Sequence, residues 1–204
     1  MRDDAFIAID LGGTIEDTWQ QKRCWFASRG FDLGPYPLSR TEVISRTGGD
    51  ETLYLQMVES VYSEERILTH PLCAGSGEAL RIIARRFRIV LLSSRPESQR
   101  QVTLEWLCKT SILNMITEVV LVGGHMNKLA WCHLHNISIL VDDDLRHLEP
   151  DEVNMRTARI HYAVKRARPQ RLNTQIMVAS TWSEVCQLVT TLQGTDSVIA
   201  TSTG

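Results

Sequence analysis

The sequence predicts an α/β fold: a Rossmann-like parallel sheet flanked by helices, with a small helical unit inserted after the first strand. Three observations predict it. Apolar runs at Phe6–Ile9, Arg88–Leu92, Val119–Val122 and Ile137–Val141 lack the alternation of half-exposed strands and read as strands buried on both faces. Helix-period stretches separate the later runs, which is the alternation of a parallel sheet. Between Thr18 and Leu68 no strand pattern occurs, so an all-helical segment interrupts the alternation.

The first strand, Phe6–Ile9, runs into Asp10, Gly12, Gly13 and Thr14. Open α/β sheets bind ligands at the carboxyl ends of their strands, where Asp10 stands. A carboxylate buried there is costly unless a metal or phosphoryl group balances it. By itself the Asp-Leu-Gly-Gly-Thr string also reads as a plain turn, with Thr14 capping a helix. Next, Thr18–Ser28 reads as a helix with Trp19, Cys24, Trp25 and Phe26 available for packing, and Gly30–Pro37 as a turn-rich break. Glu51–Leu68 has the spacing of one amphipathic helix, its apolar positions Leu53, Leu55, Met57, Val58, Val61 and Tyr62.

Gly75–Arg86 reads as a helix leading into the strand Arg88–Leu92, which stops at Ser93-Ser94-Arg95-Pro96. A helix follows over Pro96–Lys109, with Val102, Trp106 and Leu107 buried. Lys128 comes shortly after the strand at Val119–Val122, and Leu129, Ala130, Trp131 and Leu134 mark an amphipathic stretch behind it. The strand ending at Val141 meets Asp142-Asp143-Asp144, a run that also suits a helix N-terminus. Beyond it, Arg159–Val164 and Gln175–Ala179 read as two last strands, and Trp182–Leu192 as a helix capped by Ser180 or Thr181. Arg166, Arg168 and Arg171 form a basic cluster that reads as a solvated loop. The end, Gly194–Gly204, is small and polar and reads as disordered.

A chain of 204 residues suits one α/β domain with an insertion, and its net charge of −2 gives no electrostatic case for nucleic acid or an anionic membrane. No apolar run is long enough to span a bilayer, and Met-Arg-Asp-Asp is not a signal peptide. Five scattered cysteines without a CxxC pair read as reduced thiols in a cytoplasmic protein. His125, His133 and His135 lack zinc-ligand spacing.

Taken in order, Asp10 with Thr14, then Ser93, Lys128 and the Asp142–Asp143 pair resemble the four motifs of the haloacid dehalogenase-like superfamily. The spacing from Lys128 to Asp142, and the Ser93-Ser94-Arg95-Pro96 segment, resemble its 5'(3')-deoxyribonucleotidase branch. The resemblance implies a phosphohydrolase acting on a small phosphorylated substrate, with no nucleic-acid or membrane partner; a homodimer stays open. It implies Asp10 as phosphoryl-accepting nucleophile, Ser93 as a donor to a phosphoryl oxygen, and Lys128 as the neutralising cation. Asp10, the Gly12 carbonyl, Asp142 and Asp143 would hold Mg2+, and Thr14, Ser94 and Arg95 would contact substrate. It divides the chain into a core, residues 1–16 and 70–193, and a helical cap, residues 17–69.

One position departs from the pattern. Where the family carries a second aspartate as general acid and base, this chain has Gly12. The departure leaves two expectations open: a slow or specialised phosphatase, or a catalytically impaired protein that binds a phosphorylated ligand in a regulatory role. Acyl phosphates would need no acid. A branch acting on phosphonates uses a cap lysine instead, and the cap segment here offers only Lys22.

Overall fold

The apolar runs do form a parallel sheet. The computed structural model describes residues 5–124, 126–149, 156–164 and 175–199, with side chains to residue 192. Its strands are β1 (Phe6–Ile9), β2 (Arg88–Ser93), β3 (Ile116–Leu121), β4 (Ile139–Asp142), β5 (Ala158–Tyr162) and β6 (Ile176–Ala179). They make one sheet in the order β3-β2-β1-β4-β5-β6, every neighbouring pair parallel. The order carries a functional consequence. The chain builds outward from β1 through β2 to β3, then returns to the other side of β1 with β4. The carboxyl ends of β1 and β4 therefore flank the reversal of strand order, where a crevice opens in a doubly wound sheet.

Side-chain alternation divides the interior between the two faces of the sheet. Ile7, Ile9, Ile89, Leu91, Ile139 and Val141 point to one face, where α5 (Ser76–Ile83), α6 (Arg100–Lys109) and α8 (Trp182–Ile199) cover them with Leu80, Trp106, Leu107, Trp182 and Val185. Ala8, Val90, Leu92 and Leu140 point to the other, against Leu129, Trp131 and Cys132 of α7 (Lys128–Leu134). Strands covered on both faces explain why the sequence runs are continuously apolar.

The helical unit after β1 has its own apolar centre. Helices α1 (Trp19–Ala27), α2 (Arg40–Arg46), α3 (Glu51–Val61) and α4 (Glu64–Ile67) follow β1, and Trp25, Phe26, Leu33, Val43, Met57 and Val61 close a separate cluster among them. Tyr62 packs against both this cluster and the main one.

Several elements differ from their sequence reading. The helix expected over Glu51–Leu68 is two, because Ser63 takes an extended conformation (ψ 149°) that starts α4 afresh. Helix α2 was not expected, although its signal is in the sequence: Ser39 accepts from the Glu42 amide, and the Glu42 side chain accepts from the Ser39 amide. The strand read at Val119–Val122 starts earlier, at Ile116, with Glu118 exposed beside the sheet edge. The disordered end expected from Gly194 is helical through Ile199, since α8 continues where extending an existing helix costs far less than starting one. Residues 200–204, the Arg166–Arg171 basic cluster and His125 lie outside the described residues. Among the described residues no helix is long and apolar enough to cross a membrane.

Candidate active site

The strand reversal gathers the acidic residues. Asp10 follows β1 directly, and its amide donates to the Val141 carbonyl at 2.9 Å, so the loop begins where the β1–β4 ladder ends. Asp142 closes β4 and Asp143 follows it. One carboxylate oxygen each from Asp10, Asp142 and Asp143 lie within 4.8 Å of one another. Lys128, the first residue of α7, is 1% exposed and reaches from behind, its Nζ 2.5 Å from Asp10 Oδ1 and 2.8 Å from Asp142 Oδ2. Helix α7 starts there because the Asn127 side chain accepts from the Leu129 and Ala130 amides, at 2.9 and 3.1 Å.

Burial alone would push the Lys128 ammonium down, but Asp10 and Asp142 outweigh it and hold the group above the usual lysine range. Burial pushes the Asp142 carboxyl well above the ordinary carboxylate range, against the pull of Lys128 and with the help of Asp10 and Asp143. An oxygen-only set of three clustered carboxylates fits a hard divalent cation such as Mg2+.

The glycine pair divides two tasks. Gly13 has φ +100°, and a Cβ there would collide with the Asp143 carboxylate, so only glycine lets the loop pass it. Gly12 has no such constraint; its nearest neighbours would be the Tyr62 hydroxyl at 3.5 Å and Glu16 Oε2 at 3.8 Å. Thr14, expected against substrate, is fully buried instead. Its hydroxyl lies 3.4 Å from both Asp10 Oδ2 and Asp143 Oδ1, so its one proton can be donated to either carboxylate. From α8, Trp182 Nε1 donates to the Thr14 carbonyl at 3.1 Å and anchors the loop to the core.

A cavity of about 510 Å³ opens over these groups. Asp10, Gly12, Ser93, Ser94, Arg95, Lys128, Asp142 and Asp143 all line it, so the structure brings every expected site residue but Thr14 to one surface. Ser94 Oγ and Arg95 Nε are buried there without a hydrogen-bond partner among the described residues. The cavity is also lined by Lys22, Leu38, Arg40, Tyr54, Val58 and Tyr62 from the segment after β1, and by Arg146 and His147. Sequence reasoning had set Lys22 in the cap and assigned no site role to the others. Burial would lower the Lys22 ammonium, but Tyr62, Tyr54 and Asp143 outweigh it and keep the group above its usual range.

Behind Gly12 lies a buried network also missed in the sequence. Glu16, fully buried, pairs through one oxygen with His70 Nδ1 at 2.7 Å and through the other with the Arg95 guanidinium. Arg95 Nη1 also reaches Thr103 Oγ1 at 3.3 Å, and Trp106 Nε1 donates to the His70 carbonyl at 2.8 Å. Burial by itself would raise the Glu16 carboxyl, but His70 and Arg95 outweigh it and hold it below its ordinary value. Arg95, expected at the substrate, is thus first an ion-pair partner, and it also lines the cavity.

A six-stranded parallel sheet flanked by helices is a Rossmann-like α/β fold. No family model matches the chain, and no curated protein matches it in sequence. Solved structures do match. A haloacid dehalogenase-like family hydrolase from Xanthomonas campestris aligns with a TM-score of 0.59 at 11% identity, over 96% of this chain and 98% of its own. YfnB from Bacillus subtilis, a HAD-hydrolase bound to magnesium, gives 0.58 at 8% identity, over 92% and 99%. A predicted phosphatase from Clostridium acetobutylicum gives 0.58 at 12%, over 91% and 98%. At these identities the likeness is one of fold.

Proposed function

We propose that this protein is a Mg2+-dependent phosphohydrolase, nucleotidase-like in its motifs, that transfers the phosphoryl group of a small phosphorylated metabolite to Asp10 and then to water. One observation carries the reading: Asp10 lies at the floor of a ligand-sized cavity, fixed by Lys128 and within reach of Asp142 and Asp143. Asp10, Asp142, Asp143 and the Gly12 carbonyl would hold the metal, which when bound offsets negative charge on nucleophile and phosphate. Asp10 attacks phosphorus with one carboxylate oxygen while Lys128 steadies the other charges around it. The hydroxyls of Ser93 and Ser94 and the Arg95 Nε are donors on the same wall, suited to the phosphoryl oxygens. Helices α1–α3 cover the cavity as a cap that excludes water. The five free thiols suit a reducing cytoplasm.

A second reading rests on Gly12. General acid–base help is typically worth ~10²–10⁴-fold in rate, and glycine supplies none. A protein that binds a phosphorylated ligand for regulation needs no such group. The cap-lysine chemistry of the phosphonate branch fits poorly, because Lys22 is held as a cation and a Schiff base requires a free amine.

Phosphate release from nucleoside monophosphates, sugar phosphates and acyl phosphates with Mg2+ decides between the two. We expect release that Asp10→Asn abolishes, and a gain of roughly tenfold on ester substrates in Gly12→Asp. Acyl phosphates should gain least in the first step. A Gly12→Asp protein that folds, binds Mg2+ and stays inert would favour the binding reading.

A further inference from the structure

Displacing an alkoxide from phosphorus requires a proton for the leaving oxygen, and hydrolysing the acyl phosphate on Asp10 requires that a proton be taken from water. Gly12 offers neither, yet two polar groups converge on the space its side chain would have filled. Glu16 is the less suitable of them. Both of its oxygens are engaged, by His70 and Arg95, and it does not reach the cavity surface.

Tyr62 is the other. The break between α3 and α4 releases it from the helix, and its hydroxyl stands 3.5 Å from the Cβ position of residue 12. Two cations stand over its ring, with Lys22 Nζ 5.6 Å and the Arg95 guanidinium carbon 5.4 Å from its centroid. Gln99 Nε2 binds its backbone carbonyl at 2.9 Å, and the His70 ring meets it edge-on at 6.3 Å. A phenol fixed in this way lines the same cavity as Asp10 and holds an exchangeable proton.

We propose that the Tyr62 hydroxyl, brought into the cavity by the cap and backed by the Lys22 ammonium, makes the proton transfers that Gly12 cannot. In the first step the Asp10 oxygen–phosphorus bond forms and the bond to the leaving oxygen breaks. The Tyr62 O–H proton passes to that oxygen, leaving a phenolate beside Lys22. In the second step water bonds to phosphorus, the Asp10–phosphorus bond breaks, and the phenolate takes the proton from water. Tyr62 ends as it began. The cap thus supplies a chemical group as well as cover, so turnover is coupled to its closed position.

The inference rests on the hydrolase reading, and the test separates the two. Single-turnover release of the leaving alcohol is measured from β-glycerol phosphate, a poor leaving group, and from p-nitrophenyl phosphate, a good one. Tyr62→Phe should slow glycerol release by about tenfold or more and p-nitrophenol release by less than about threefold, because only the alkoxide needs a full proton. Lys22→Met should act in the same direction. Adding Gly12→Asp to Tyr62→Phe should restore glycerol release, the new carboxylate occupying the space between them. Equal losses on both substrates, or none, would overturn the role of Tyr62 while leaving Asp10-dependent hydrolysis intact. Wild-type release that Asp10→Asn does not abolish would overturn the hydrolase reading and this inference with it.

Discussion

Adjacent glycines in the Asp10 loop have unlike duties. Gly13 permits a backbone path that a Cβ would block, because the Asp143 carboxylate occupies the space. Gly12 merely leaves room beside Tyr62 and Glu16. Magnesium should raise the melting temperature of the wild type by selective binding to the folded state. Gly12→Ala should keep that rise, since a methyl group there meets only ordinary contacts. Gly13→Ala should lose it, as should the Asp142→Asn/Asp143→Asn double variant. Thermal scans with and without Mg2+ check all three, and a retained rise in the double variant would place the metal elsewhere.

Among the elements, α7 matters most to the site, because its first residue is Lys128. Asn127 holds two amides of its first turn, and no acidic residue in that turn supplements the cap. Asn127→Ala should therefore cost about 1 kcal/mol by chemical denaturation. It should also loosen the ammonium between Asp10 and Asp142, and a variant of unchanged stability would mean that tertiary packing alone fixes the helix start. The proposed cap is the second element-scale device. Backbone amides of α1–α3 should exchange more slowly when Mg2+ and fluoroberyllate bind together. Protection confined to the sheet would mean that these helices are ordinary core.

Across the whole molecule, the Glu16–Arg95–His70 network ties the loop after β1 to the end of β2 and to the segment before α5. Removing one member of a fully buried ion pair strands the other, and Glu16→Gln should cost about 3 kcal/mol or more. The pH dependence follows from the direction of its shift. The folded carboxyl titrates below its ordinary value of 4.5, so the pairing stabilises fully above that value. It is lost as pH falls through the lower, folded value. Melting curves from about pH 6 down to pH 3 should fall more steeply for wild type than for Glu16→Gln, and parallel curves would show that Glu16 contributes no linkage.

Much of this protein is local and was legible as such. A strand buried on both faces must be apolar throughout, so β1, β2 and β4 stand out as runs, and the polar residues that end them mark the ligand-binding edge. Asp10 was read from that logic, and Lys128, Asp142 and Asp143 from their resemblance to the superfamily's motifs; the structure gathers all four. Boundaries set by a single residue's conformation, such as the break at Tyr62-Ser63, left no periodic trace. Thr14 was legible as a loop residue but not as a donor within reach of two carboxylates, since that depends on how closely β4 approaches. Glu16, His70 and Arg95 lie far apart along the chain and meet only when the sheet closes; Tyr62 and Lys22 line the cavity only through the packing of the helical segment after β1. Sequence patterning by itself determined the strands and the polar residues at their carboxyl ends, and the family resemblance marked Gly12 as a departure. Which buried charges pair, and which hydroxyl fills the space beside Gly12, only the tertiary structure decided, because periodicity tells a residue which face to take and never which distant partner waits there.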